Sequence, residues 1–336
     1  MRRKVVITDR PLPHVEEERR IINEAGGYLE AHDARTPDEL QEIVAGAYVI
    51  LANLARVDRT VIGRLAGTKG IVRYGVGYDS VDVEAATEKG IYVANVPGFC
   101  TLDVAEHTMA LILSLTRKIP QLDTYVRGGR YVDTSGYKLH RPMHRLAGKR
   151  AGIIGFGNIG REVARRLLAF GLSVAAYDPY LGEGAMGDLA AKVEVLDLRS
   201  LLQQSDIVTI HAPLTAETRG MIGERELGMM KPTAFLLNVS RGGIVREEDL
   251  AKAVRSGSIA GAALDTLSTE PPPPDHPLLG LANVLVTPHL AWYSEESVMD
   301  LERAAAGQAA QIIRGEVPTN LVNRDAVRSR KIADPP

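Results

Sequence analysis

The chain has 336 residues, 45% hydrophobic and 24% charged, with 40 Lys and Arg against 42 Asp and Glu. This excludes a disordered, collagenous or disulfide-stapled chain, and a formal net charge of −2 supplies no broad basic surface for nucleic acid. A single cysteine cannot close an intramolecular disulfide, which fits a reducing, cytoplasmic compartment; the length suits about two domains. The first apolar run, Val5–Ile7, is too short for a signal-peptide core, and no run nears the ~20 residues of a membrane span.

In chain order, strands are predicted at Lys4–Asp9, Tyr28–His32, Tyr48–Leu54, Gly70–Gly75 and Ile91–Val96. Helices are predicted between them at Val15–Glu24, Pro37–Ala45, Arg59–Leu65 and Val83–Glu88. Strictly alternating strands and helices imply a parallel, flavodoxin-like sheet covered on both faces. A longer helix follows over Thr101–Leu115, with Ala105, Met109, Ile112 and Leu113 on one apolar face. The stretch Ile119–Arg150 reads as a polar connection or subunit contact; its basic residues (Lys138, His140, Arg141, His144, Arg145, Lys149, Arg150) lack the stacked aromatics of a nucleic-acid surface.

A second alternation starts at Ala151. Strands are predicted at Ala151–Gly155, Ser173–Asp178, Val193–Leu196, Ile207–His211, Ala234–Val239, Gly261–Asp265 and Val284–Thr287. Helices are predicted at Ile159–Phe170, Leu198–Gln204, Glu224–Met229, Glu247–Ser256 and finally Ser294–Arg314, where Ser294 is an N-cap. The tail to Pro336 is polar and is expected to be poorly ordered at its end.

Gly155-Phe156-Gly157-Asn158-Ile159-Gly160 follows an apolar strand and opens a helix, the context a dinucleotide phosphate loop requires. The first glycine makes the turn, the second admits a pyrophosphate and the third packs helix on strand. Asp178 ends the next strand, where a carboxylate accepts ribose hydroxyls and repels a 2′-phosphate, so NAD is favoured over NADP. Later strand ends carry His211-Ala212-Pro213, Asn238-Val239-Ser240-Arg241-Gly242-Gly243, Asp265, Glu270 and Thr287-Pro288-His289. Reduction of a 2-oxo acid needs a cation for the substrate's carboxylate and carbonyl, and an acid to protonate that carbonyl. Arg241 fits the first role and His289 the second, with Glu270 holding the imidazole's tautomer and favouring its protonated form. Spacing alone leaves other readings open: a surface arginine, an acid opening the Pro271–Pro274 run and a strand-end histidine. No cluster has metal-ligand spacing.

Together these motifs resemble the D-isomer-specific 2-hydroxyacid dehydrogenases from about Val5 to Asn323. The resemblance implies an α/β fold of two Rossmann-like or flavodoxin-like parallel-sheet domains. The NAD-binding domain, 101–289, is inserted into a discontinuous substrate domain, 1–100 and 290–336, with hinges near Cys100 and His289. It implies that Arg241, Glu270 and His289 form the catalytic trio. It also implies cofactor contacts from Val76, Thr108, Asn158, Ile159, Asp178, His211, Ala212, Pro213, Val239, Ser240, Arg241, Asp265 and His289. The backbone near Val76 and Gly77 resembles a substrate-carboxylate cradle, and the strand reading places Arg56, Arg73 and Tyr74 on the far wall of the substrate cleft. The family's members usually dimerise, so a homodimer is expected.

His289-Leu290-Ala291-Trp292 resembles the C-terminal-binding-protein branch in carrying an aromatic three residues after the histidine. Phosphoglycerate dehydrogenases usually have a smaller residue there and often an added regulatory domain, for which no room is expected after Asn323. Trp292 is read either as a wall of the substrate pocket or as packing at the hinge. The expected activity is NAD-dependent interconversion of a 2-oxo acid and its D-2-hydroxy acid, with no nucleic-acid or membrane partner. The competing reading is an NADH-sensing, corepressor-like scaffold of the same fold.

Overall fold

Aliphatic and β-branched runs form the strands, and nearly every residue of the central ones is buried, as expected of a parallel sheet covered on both faces. The computed structural model describes residues 2–9, 14–131, 142–182 and 184–324. Lys138, His140, Arg141 and the end of the C-terminal tail lie outside the described residues. The chain divides into two compact units, residues 1–100 with 294–336, and residues 101–293.

The first unit contains β1 (Arg3–Ile7), α1 (Glu16–Glu24), β2 (Gly27–Ala31), α2 (Pro37–Ile43), β3 (Val49–Ala52), α3 (Arg59–Arg64), β4 (Gly70–Arg73), α4 (Val83–Glu88) and β5 (Tyr92–Ala94). All pairings are parallel, in the order β2-β1-β3-β4-β5, the flavodoxin-like arrangement. Helices α2, α3 and α4 start where the sequence can satisfy their free N–H groups. Thr36 caps α2 with a reciprocal Glu39 bond, and Asp58 and Asp82 cap α3 and α4.

The second unit opens with α5 (Thr101–Arg117), α6 (Ile119–Arg127), β6 (Arg150–Ile154), α7 (Asn158–Ala169), β7 (Ser173–Tyr177) and β8 (Val193–Val195). It continues through α8 (Leu198–Gln204), β9 (Ile207–Ile210), α9 (Glu224–Leu227), β10 (Phe235–Asn238), α10 (Glu247–Ser256), β11 (Gly261–Leu264) and β12 (Val284–Val286). The parallel order is β12-β11-β10-β9-β6-β7-β8, reversing between β6 and β9. Ligands of such sheets bind beyond the carboxyl ends of the strands at that reversal. The last helix, α11 (Glu295–Arg314), belongs to the first unit; Ser294 caps its start and Gly315, left-handed at φ +83°, ends it.

Two points differ from the sequence reading. Ile119–Arg127 is a helix rather than a polar connection: Lys118, left-handed at φ 53°, breaks it from α5, and Pro120 sits in its first turn. The second crossing between units falls after Tyr293, so residues 290–293 go with the 101–293 unit, held there by the Asp265 carboxylate, which accepts from Leu290 N and Ala291 N. Among the described residues, no helix is long and apolar enough to cross a membrane.

Candidate active site

The glycine loop is shaped by contacts that exclude side chains. A Cβ on Gly155, left-handed at φ +87°, would lie 2.7 Å from the backbone of His211 and Ala212, so the β6 and β9 ends touch there. A Cβ on Gly160 would lie 2.3 Å from the Gly155 carbonyl oxygen. At Gly157 nothing lies within 4 Å of a Cβ, and α7 begins there without a side-chain cap, leaving its first N–H groups available. Open space before uncapped helix N–H groups fits a dinucleotide pyrophosphate. Asn158 is exposed and Ile159 half-buried on the first turn.

Asp178 accepts from Phe156 N and Tyr180 N, both at 2.9 Å, which fixes its carboxylate against the glycine loop. With about four acceptor positions on a carboxylate, others remain for ribose hydroxyls. At the end of β9, His211 pairs through Nε2 with Thr209 Oγ1 at 3.0 Å, and its buried Nδ1 has no partner among the described residues. Burial pushes this imidazole down to about 3, so it is neutral. Ala212 is half-buried and Pro213 exposed.

Asn238 builds the next turn. It is 1% exposed, accepts from Ser240 N and donates to the Arg241 carbonyl, while the Ser240 hydroxyl donates to Ile210 O. Arg241 emerges half-buried, with Nη1 donating to Ser240 O at 2.8 Å. The Val239 side chain is buried. Position 242 must be glycine, because a Cβ would lie 2.0 Å from the Leu267 carbonyl carbon.

Glu270 Oε2 lies 2.7 Å from His289 Nδ1, and Oε1 accepts from Leu267 N at 2.8 Å. An ionised carboxylate only accepts, so Nδ1 donates and Nε2 is left for proton exchange. Partial burial would raise the Glu270 carboxyl; the His289 ring, the Leu267 N–H and the Arg241 charge outweigh it and hold the group below its ordinary range. His289 itself is left-handed at φ 55°, which costs a residue with a Cβ about 1 kcal/mol or more.

Asp265 holds that backbone in place. It is 2% exposed, and its carboxylate accepts from Thr287 Oγ1, Leu290 N and Ala291 N, while its carbonyl accepts from His289 N. The cofactor contact expected of Asp265 therefore meets a carboxylate largely taken by protein donors. His107, not singled out by the sequence, lies 3.0 Å from Thr287 Oγ1 in the same network. Thr108 is fully buried and donates to Val104 O. Trp292 is half-buried, edge-on to Tyr293 with ring centroids 5.7 Å apart.

In the first unit, Val76 is exposed, Gly77 half-buried, and the Asn95 amide donates to Val76 O. Arg73 is half-buried, close against Gly75. Tyr74 is a correction: its ring is 1% exposed in the core and its hydroxyl donates to Glu18, so its side chain is not on a substrate wall. The sequence also missed Asp9, which accepts from Asn53 N, Leu54 N and Ala55 N and fixes the loop after β3. No group of three or more potential metal ligands occurs among the described residues.

Residues 109–291 match the family model described as the NAD-binding domain of D-isomer-specific 2-hydroxyacid dehydrogenases. A D-3-phosphoglycerate dehydrogenase of Methanocaldococcus jannaschii is 38% identical over 98% of this chain, which spans 61% of that relative's length. A glyoxylate reductase of Korarchaeum cryptofilum is 40% identical over 82% of each chain. Among solved structures, the D-lactate dehydrogenase of Aquifex aeolicus, complexed with NAD and lactic acid, superposes with a TM-score of 0.84 at 27% identity. That match covers 95% of this chain and 98% of the other.

Proposed function

Because the chain belongs to the D-isomer-specific 2-hydroxyacid dehydrogenase family, we propose that it reduces a small 2-oxo acid to its D-2-hydroxy acid with NADH. The observation that carries this reading is the Glu270–His289 contact of 2.7 Å beside Arg241, because a site that only bound nucleotide would have no use for an oriented proton donor. Gly157, the first turn of α7 and Asp178 hold the dinucleotide, whose nicotinamide supplies the two reducing electrons when bound. Arg241 binds the substrate carboxylate and draws charge onto the 2-oxo oxygen. His289 releases its Nε2 proton to that oxygen, and ionised Glu270 steadies the imidazolium through Nδ1.

Glyoxylate is the proposed substrate class, since the glyoxylate reductase and this chain match over 82% of each, against 61% of the phosphoglycerate dehydrogenase. The test is NADH oxidation with glyoxylate, hydroxypyruvate, pyruvate and a phosphorylated 2-oxo acid, with chiral analysis of products. Glyoxylate and hydroxypyruvate are expected to react fastest, with hydroxypyruvate giving the D product. A marked preference for the phosphorylated acid would reject the substrate, and L products would reject the reading. Asp178→Ala should relax the preference for NADH over NADPH by about tenfold or more, roughly 1.4 kcal/mol. An unchanged preference would remove Asp178 from that role.

A further inference from the structure

Behind Glu270 lies a second carboxylate–imidazole pair. Glu247, the first residue of α10, and His276 have side chains only 8% exposed, and Glu247 Oε2 lies 3.0 Å from His276 Nε2. The other oxygen, Oε1, accepts from Ser268 N at 2.6 Å. Leu278 N faces His276 Nδ1 at 3.4 Å, so the ring's Nε2 proton is the one given to Glu247. One buried carboxylate thus closes the loop Ser268–His276 at both ends, across Pro271–Pro274.

Glu270 rests on the peptide unit next to the one Glu247 holds. Its Oε1 accepts from Leu267 N, next to the N–H held by Glu247. Gly242, immediately after Arg241, abuts these peptides so closely that a Cβ would lie 2.2 Å from Ser268 N. A shift of Leu267–Ser268 would move the support of Glu270 and the turn carrying Arg241 together.

We propose that Glu247 and His276 are positioning residues: a buried pair that clamps Leu267–Ser268 and thereby sets the Glu270 carboxylate against His289. The inference rests on the proposed roles of Glu270 and His289 as a proton-handling pair. Neither Glu247 nor His276 touches the reacting groups.

The test compares wild type with Glu247→Gln and His276→Gln. In Glu247→Gln the amide oxygen still accepts from Ser268 N, but its NH2 cannot accept the His276 proton. In His276→Gln an amide N–H can still reach toward Glu247. Three quantities are read: kcat with the NADH dissociation constant, the acid side of the pH–rate profile, and the titration of the Glu270 side-chain carboxyl by carbon NMR without cofactor, assigned from Glu270→Gln. Glu247→Gln should lower kcat about tenfold with NADH affinity within about twofold, the scale of a lost outer-shell contact. Its acid-side fall and its Glu270 titration should both move to higher pH by about half a pH unit or more, as the Leu267 donor is misplaced. His276→Gln should retain kcat within about threefold of wild type.

Lower thermal stability in Glu247→Gln with the Glu270 titration unmoved would overturn the proposal. If wild type turns over no 2-oxo acid, the reaction assignment fails, while the carboxyl titration still decides the clamp. If Glu247→Gln does not fold, His276→Phe takes its place: a moved Glu270 titration supports the clamp and an unmoved one overturns it.

Discussion

Glu270 in the second unit keeps 36% of its side chain exposed while Glu302 in the first is buried, and their carboxyl groups shift in opposite directions. Glu270 has a ring N–H, a backbone N–H and a nearby guanidinium, and it is held below its ordinary range despite partial burial. Glu302, on α11, is buried where α11 packs on α1. Burial first, then the charges of Glu18, Glu16 and Glu17, push it up to about 7, with Arg303 opposing. Glu18 is raised by burial as well; Tyr74 donates to its Oε1, while Oε2 has no partner among the described residues. Burial alone therefore does not mark a functional carboxylate. The donors around it decide whether its ionised form is favoured, as at Glu270, or its protonated form is favoured, as in this helix contact.

The largest effect expected from disturbing this contrast is at Glu270. Glu270→Gln should lower kcat on the order of 10²–10⁴, as removal of the orienting acid does in comparable triads. The pH dependence has a definite sign. Protonation of Glu270 as pH falls through its lowered value removes the charged acceptor of the His289 Nδ1 proton, so wild-type activity should fall on the acid side and the Gln variant should lack that limb. An identical limb in the variant would assign it to another group.

Tyr74→Phe comes next. It leaves Glu18 without its donor and should cost about 1–3 kcal/mol in denaturant unfolding, with kcat and KM within about twofold of wild type. A large KM change with unaltered stability would return Tyr74 to the substrate wall.

The smallest effect is at Glu302. Its folded value lies above its unfolded one, so the protonated group favours the fold at low pH, and this contribution is lost as pH rises from about 4.5 to about 7. Glu302→Gln should flatten that loss and raise Tm at pH 8 by roughly 2–4 °C, with turnover unchanged. A lower Tm at pH 8 would show that the ionised group is favourable after all.

Much of this was legible in the sequence because parallel strands and dinucleotide loops leave local signatures. The β6–Gly155–α7 passage and Asp178 follow from apolar runs, glycines and one acid at fixed spacing. Arg241, Glu270 and His289 could be named because each lies at or beyond a strand's carboxyl end. What was not legible depends on contacts distant in sequence. Nothing local says that Tyr74 turns into the core to meet Glu18, 56 residues away, or that Glu247 reaches Ser268 and His276. The α6 helix was missed although Pro120 in its first turn was a usable signal; the surrounding polar residues obscured it. His289's left-handed backbone was likewise invisible, since it is imposed by Asp265 from β11's end.

In the reaction we propose, His289, backed by Glu270, donates the proton in an NADH-dependent reduction. Its most direct test is a single-turnover measurement: NADH-saturated wild type and His289→Asn are each mixed with glyoxylate, with NADH binding quantified separately. Wild type should oxidise its bound NADH, and His289→Asn should do so about 10²–10⁴ times more slowly while binding NADH within about twofold of wild type. Equal rates in the two proteins, or no oxidation by wild type with NADH demonstrably bound, would contradict the account.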